Sequence, residues 1–380
     1  MYHQRQTGSG KQATLESRGM ANIKVGIIGT GSMANTHARR YREMRGVDLR
    51  SCYDTDTKRA SAFALQHKIE HVAASLEEVI EVCDATSVVT PDAFHAPLSL
   101  RILEAGKHLL CEKPLATTLK DARRVARRAI QAAQQHGTIH MINLSYRDSS
   151  AVQEAMKIAA RGELGEIRHV HGHYLQSWLT GTTSWGYWQD PNWLWRLQTA
   201  QGSTGVLGDL GCHLLDLVTA VAGDVATVES RLTTFPKIDR KGRQRTALGT
   251  ARLDANDTAA IQLKFANGAV GVCHATRWAT GHMNSIFLAV HGTEGALRID
   301  LDQGKDKLQL CRGRNKAMGR WSTRTIRTTP SIYQRFIRSI KTRRQDHPDV
   351  PRGAQIQALL DACQRSSQKN GKTTRVGRWM

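Results

Sequence analysis

Three side chains whose types and spacing suit proton and charge transfer stand far apart in the chain. Lys113 lies in Glu112-Lys113-Pro114, just past an apolar run, and Asp209 and His213 lie in Gly208-Asp-Leu-Gly211-Cys-His213-Leu-Leu-Asp216. Pro114 disfavours helix for the residue before it, so Lys113 is expected in extended backbone. Lysine is usually a surface residue, so this one matters only if the preceding strand ends on a ligand crevice. If the second stretch opens a helix, Asp209 and His213 share a face one turn apart. A carboxylate beside an imidazole raises its basicity and fixes its orientation. The competing reading is a helix cap followed by a buried histidine. Asp216 either joins the pair or faces solvent.

These groups need a frame, and the frame begins at Lys24-Val-Gly-Ile-Ile-Gly29-Thr-Gly31-Ser32-Met33-Ala34. An apolar run ends in Gly-x-Gly-x-x-Ala, and a helical pattern comes directly after it. In that context Gly29 allows the turn, Gly31 lets the backbone approach a pyrophosphate, and Ala34 permits close helix–strand packing. The helix start, at Ser32 and Met33, offers unpaired N–H groups to phosphates. Asp54, at the end of the next strand pattern, falls where an acidic residue holds adenosine ribose hydroxyls. Its charge repels a 2′-phosphate, which favours NAD over NADP, although Lys58 and Arg59 stand close enough to reach one. Thr90-Pro91-Asp92-Ala93-Phe94-His95 comes after a further strand pattern, where loops line the crevice.

Residues 22–142 alternate short apolar runs (Lys24–Ile28, Asp48–Tyr53, Ala85–Thr90, His108–Cys111, Thr138–Ile142) with helical patterns. That order predicts an α/β domain with a doubly wound parallel sheet. After Tyr146 one helical pattern (Ala151–Arg161) leads into extended segments from Ile167 to Leu301, with Asn267-Gly268 as a hairpin signal. A larger antiparallel or mixed sheet with helices on one face is expected there, and a last helix over Gln355–Ser367. The resulting division is 1–21, 22–145 and 146–380. Residues 1–21 are expected to be a disordered extension, polar and unlike a secretory signal, with Met20 a candidate start.

The net charge of +21 is concentrated late: Arg312 to Arg344 carries eleven Lys or Arg and no Asp or Glu. With no nucleic-acid-binding motif, this reads as a solvated basic face, suited to steering an anionic substrate. No apolar run approaches the ~20 residues that span a bilayer. Seven scattered cysteines without Cys-x-x-Cys suit buried thiols in a reducing cytoplasm. His169, His171 and His173 alternate on one strand and share a face; no metal site is assigned to them.

Taken together, the motifs resemble the glucose–fructose oxidoreductase/myo-inositol dehydrogenase (Gfo/Idh/MocA) family over about residues 22–375. The resemblance rests on Gly29-x-Gly31-x-x-Ala34, Thr90-Pro91 with His95, Glu112-Lys113-Pro114, Gly162-Glu-Leu-Gly165-Glu166-Ile, Trp195-Arg196 and Asp209-x-Gly211-x-His213-x-x-Asp216. It implies an N-terminal Rossmann domain, a C-terminal α/β domain with an open sheet used for oligomerisation, and a bound nicotinamide cofactor. It implies a catalytic set Lys113, Asp209 and His213, with Pro91, His95 and Glu112 near the cofactor. The family's Gly-Phe-Asn-x-Arg is replaced by Asn143-Leu-Ser145-Tyr146-Arg147, so Arg147 aligns but Ser145 stands where Asn is usual.

The activity this implies is NAD-dependent oxidation of a secondary alcohol on a sugar, glycoside or cyclitol, in a dimer or tetramer. Whether His213 or Lys113 is the immediate base stays open. Arg147, Trp195 and Arg196 are candidate substrate contacts. Trp178, Trp185, Trp188, Trp193 and Trp195 crowd one segment, where flat rings suit sugar faces or a satellite core. Transient use of tightly held NAD for glycoside cleavage or isomerisation, and a redox-inactive NAD-binding regulator, are the competing functions.

Overall fold

The computed structural model describes residues 21–181 and 188–380; residues 1–20 of the proposed N-terminal extension, and Trp185, lie outside them. The first sheet has six parallel strands, β1 (Ile23–Ile28), β2 (Val47–Tyr53), β3 (His71–Val72), β4 (Ala85–Val88), β5 (His108–Cys111) and β6 (His140–Ile142), in the order β3-β2-β1-β4-β5-β6. Helices α1 (Ser32–Arg42), α2 (Thr57–His67), α3 (Leu76–Val82), α4 (His95–Glu104) and α5 (Leu119–His136) connect them. Strand order reverses between β1 and β4, and ligands of such sheets bind at that switch point, beyond the strands' carboxyl ends. The two-residue β3 is too short to read from an apolar pattern.

A 3₁₀ turn (Ser145–Asp148) and α6 (Ser150–Ala160) lead to the second layer. It comprises β7 (Ile167–Leu175), α7 (Pro191–Leu194), α8 (Cys212–Ala222), β8 (Val225–Thr233), two small hairpins, β9 (Lys237–Ile238) with β10 (Gln244–Arg245) and β11 (Ala247–Leu248) with β12 (Ala251–Arg252), then β13 (Thr258–Phe265), β14 (Val270–Thr276), β15 (Ser285–Gly292), β16 (Gly295–Asp300) and β17 (Lys307–Arg312). After α9 (Arg314–Ala317), β18 (Ser322–Thr325), α10 (Ile332–Thr342) and α11 (Val350–Gln368), β19 (Thr374–Arg375) closes the chain. The sheet runs β18-β17-β16-β15-β7-β14-β13-β8-β19 and is mixed: β7 and β14 are parallel, the other neighbours antiparallel. Asn267-Gly268 turns the β13–β14 hairpin, with Gly268 at φ +89°.

One face of this sheet packs on α8 and α11; the other carries His169, His171, His173, Val270, Val272 and His274 toward solvent or half-buried. The histidine rings lie tilted against one another, and His171 stacks on His291 and His173 on Phe287. Among the described residues no group of three or more His, Cys, Asp or Glu is placed to hold a metal ion.

Two C-terminal helices return to the first sheet. The basic stretch contains α10, whose Ile332, Tyr333, Phe336 and Ile337 bury against Val25, Tyr41, Leu110 and Met141. Most of its cations stay exposed, as a solvated face requires, but Arg335 is buried against Asp346 at 3.1 Å. Helix α11 begins five residues earlier than the pattern suggested, with Asp349 capping Arg352 N and a proline in its first turn. Its apolar residues join those of α5, α8 and β8 in one core. Gly353 sits so close to Ile142 and Leu115 that a Cβ would meet them at 2.8 and 3.0 Å.

Candidate active site

The glycine turn is built as a cradle. Gly29 has φ +88°, and a Cβ there would strike the Val89 carbonyl at 2.8 Å and Thr90 Cγ2 at 2.9 Å. A Cβ on Gly31 would meet nothing within 4 Å, so the space above the start of α1 is open. No side chain caps that helix and no acidic residue occupies its first turn. Gly31, Ser32 and Met33 are exposed while Ala34 is fully buried against the sheet. Uncapped N–H groups beside open space fit a dinucleotide pyrophosphate.

Asp54 stands at the end of β2. Its Oδ2 accepts hydrogen bonds from Thr30 N (2.8 Å), Thr30 Oγ1 (2.9 Å) and Arg59 Nε (3.1 Å); Oδ1 accepts from Arg59 Nη2 (2.6 Å) and Asp56 N (3.0 Å). Burial opposes its ionisation, but these bonds outweigh it and hold the carboxyl well below the usual range. Arg59, expected as a competing phosphate ligand, is paired with Asp54, while its side chain stays half exposed.

Loops after β4, β5 and β6 form the crevice wall. Thr90 Oγ1 is buried without a hydrogen-bond partner. Pro91 starts a short turn (Asp92–Phe94), and His95 lies beneath, its Nδ1 2.6 Å from the Pro114 carbonyl and Nε2 2.8 Å from that of Thr90. His95 therefore ties two crevice loops together. Glu112 is buried, with Oε1 bonded to His37 Nε2 (2.9 Å) and to Asn143 Nδ2, and Oε2 to the Lys113 N–H (3.2 Å). Burial would raise its carboxyl; the bond from His37, Lys113's charge and Asn143 hold it at about 2.

Across the crevice, Leu207–Gly211 forms a π-helical turn that runs into α8. Such a wider turn is common at functional sites and shifts the register of the helix after it. Asp209 Oδ1 accepts from Lys113 Nζ at 2.8 Å, and Oδ2 from Arg277 Nη2 at 2.9 Å. This corrects the expectation that Asp209 orients His213: both oxygens go to cations, which are stronger partners than a neutral imidazole. Desolvation opposes both charges, yet mutual attraction keeps Lys113 above its ordinary value and Asp209 well below.

His213 is buried and packs edge-on against Tyr146, ring centroids 4.8 Å apart. Its Nδ1 has no hydrogen-bond partner. Burial, reinforced by Lys113's charge, pushes it down to about 3, so it is neutral at physiological pH. Tyr146 is pinned behind it: its hydroxyl lies 2.8 Å from that of Tyr174 and accepts from Asn284 Nδ2 at 2.8 Å. Asn284 Oδ1 accepts from Tyr174 (2.7 Å) and Gln176 (2.9 Å), and Gln176 accepts from Trp178 Nε1 (3.1 Å).

Arg147, expected as a substrate contact, is engaged within the protein instead. Arg147 is buried, donating from Nε and Nη2 to Asp216 at 2.6 and 2.7 Å, and Arg352 completes the cluster at 2.8 Å. Arg147 therefore faces Asp216 instead of a substrate, and Asp216 neither joins His213 nor meets solvent. Attraction from the two guanidiniums overcomes burial and holds Asp216 at about 2. Among the tryptophans, Trp178 and Trp188 are buried in a satellite core with Leu179, Leu197 and Leu253. Trp193 and Trp195 are half-buried, and the Arg196 guanidinium lies over both, 5.2 and 4.5 Å from their centroids. At the crevice mouth Thr204 Oγ1 donates to Asp92 Oδ2 at 2.9 Å, and a Cβ on Gly202 would meet Ala93 Cβ at 2.8 Å.

His37, Asn143, Arg277 and Asn284 were not singled out in the sequence. Asn143 comes directly after β6, a position the crevice rule covers. Arg277 sits just past β14 of an antiparallel hairpin, where no such rule applies.

An open, uncapped helix start after the glycine turn, a carboxylate at the end of β2, and Lys113 paired with Asp209 beside the crevice suit a nicotinamide-dinucleotide site. Family models agree: residues 23–143 match the oxidoreductase family with NAD-binding Rossmann fold, and residues 152–298 the GFO/IDH/MocA C-terminal domain. The chain is 31% identical over 333 residues to a levoglucosan dehydrogenase of Pseudarthrobacter phenanthrenivorans, covering 82% of each. It is 29% identical to a 1,5-anhydro-D-fructose reductase of Ensifer adhaerens, over 72% of this chain and 74% of the other. A solved levoglucosan dehydrogenase in complex with NADH and levoglucosan superposes with a TM-score of 0.78 at 26% identity, covering 94% of this chain and 99% of that one. The chain belongs to the Gfo/Idh/MocA family and is an NAD(P)-dependent dehydrogenase.

Proposed function

We propose that this dehydrogenase oxidises a secondary alcohol of a sugar, glycoside or cyclitol, with Lys113, Asp209 and His213 as its catalytic set. The observation that carries the reading is the Lys113–Asp209 pair at 2.8 Å beside a buried, neutral His213. His213, uncharged, accepts the hydroxyl proton. Lys113, held as an ammonium by Asp209, stabilises the forming alkoxide. Bound NAD supplies the hydride acceptor. The cradle at Gly29, Gly31, Ser32 and Met33, with Asp54, holds the dinucleotide; Thr90, Pro91, His95 and Glu112 shape the wall toward the reacting ring. Trp195 and Arg196 flank the substrate. The levoglucosan and anhydrofructose relatives support a sugar-like ligand.

In this reading residues 22–145 hold the cofactor, and residues 146–380 the substrate and, through the uncovered sheet face, a further copy in a dimer or tetramer. Seven free, buried cysteines suit a cytoplasmic protein. Among the described residues no helix is long and apolar enough to cross a membrane.

The test is NAD⁺ and NADP⁺ reduction followed at 340 nm over a panel of sugars, sugar acids, glycosides and inositols. At least one sugar should drive reduction, with NAD⁺ preferred, and Lys113→Ala and His213→Ala should keep NADH binding while losing turnover. No reduction by the wild type, or full turnover in both variants, overturns the proposal.

A further inference from the structure

Arg277 is fixed from several sides. Its side chain is buried at 1% exposure, its Nη2 donates to Asp209 Oδ2 at 2.9 Å, and its Nη1 to the Arg196 carbonyl at 3.3 Å. Its guanidinium carbon lies 5.0 Å from the Trp178 ring centroid. Its backbone is tied too, Arg277 N donating to the Asp257 carbonyl at 3.0 Å. Only a planar fork can meet a carboxylate, a carbonyl and an aromatic face together; a lysine there would reach one of them.

The consequence falls on Asp209. Each of its oxygens has its own cation, Oδ2 facing Arg277 and Oδ1 facing Lys113. Without Arg277 the carboxylate is free to rotate and to draw Lys113 out of line. We propose that Arg277 is a positioning residue: it takes one oxygen of Asp209 so that the other stays on Lys113 Nζ and aims the ammonium at the substrate oxygen. Arg277 acts through Asp209 and touches neither substrate nor cofactor. The proposal rests on the catalytic reading of Lys113 above.

A double-mutant cycle tests it, with single-turnover NADH formation to keep weak variants measurable. Arg277→Met should lower kcat about 10²-fold, the scale of a small misplacement in an active site. KM for the sugar and NADH affinity should change far less, and Arg277→Lys should recover part of the loss. In an Asp209→Asn background the same change should cost less than about twofold, since the group it acts through is gone. Equal losses in both backgrounds, or a loss confined to KM, overturn the proposal. If Arg277→Met does not fold, Arg277→Lys carries the same cycle. Turnover unaffected by Lys113→Ala would overturn the catalytic reading instead, a result distinct from equal losses in the cycle.

Discussion

Asp209 and Asp216 stand seven positions apart on one helical stretch, and each is gripped by two cations. The charge count is the same, but the surroundings differ. Lys113 and Asp209 keep about a fifth of their side-chain surface open, at 19% and 22%. Arg147 and Asp216 are sealed, at 6% and 1%. One cluster includes a lysine, a compact charge that can turn toward a ligand; the other uses two guanidiniums, with Arg147 bidentate to a single carboxylate. The sealed cluster ties the turn after β6, α8 and α11 together, and the open one looks into the crevice. Two cations on a buried carboxylate therefore do not mark chemistry by themselves; what separates the two clusters is the open side and the lysine.

The contrast breaks most sharply at Lys113. Lys113→Met should lower kcat/KM by about 10³-fold or more while leaving the melting temperature within a few degrees. A large melting shift with modest kinetic loss would make this cluster structural like its neighbour. Asp216→Asn should do the reverse, destabilising by about 3–5 kcal/mol because two buried guanidiniums lose their counter-charge. Urea unfolding measures it, and turnover per folded molecule should stay near wild type. The pH dependence gives a sign. Asp216 has a folded value near 2 against 3.8 unfolded, so its stability is present above about pH 4 and is lost as pH falls toward 2. Asp216→Asn should lack that component.

The smallest effect concerns His213. The unfolded chain protonates this histidine near 6.5, the folded protein only near 3, so its burial costs stability progressively as pH falls from 6.5 toward 3. His213→Gln should flatten, without abolishing, the loss in urea midpoint between pH 7.5 and 5, since His108 and His140 are also held low by burial. Identical slopes in variant and wild type would mean that burial does not lower His213 and that it titrates in the folded protein as it does in the unfolded chain.

Five of the six strands of the first sheet were legible as short runs bounded by turn residues, the two-residue β3 was not, and the glycine turn gained its meaning from the strand before it, the helix after it and Asp54. Lys113, Asp209 and His213 were legible as candidates, but their pairing was not. Helical spacing places Asp209 beside His213, whereas the partners that win, Lys113 and Arg277, come from positions 96 and 68 residues away in sequence. Arg147 and Asp216 misled for the same reason: a charge at a motif position gives no sign of whether a distant arginine such as Arg352 will neutralise it. Helix α10 hid inside a stretch read for its charge, although Ile332, Tyr333, Phe336 and Ile337 supply its apolar face at helical spacing.

Helix α11 has a further meaning for how the molecule moves. It is shared by the cores on both sides of the crevice, and Arg352 and Gly353 fasten it to α8 and to β6. A back wall common to both halves resists a wide hinge. The opposite rim is joined more lightly, by the Thr204–Asp92 bond and the close passage of Gly202 over Ala93. The two halves are thus joined as a clamshell is, by a broad packed spine along α11 on one side and a light clasp at the rim on the other.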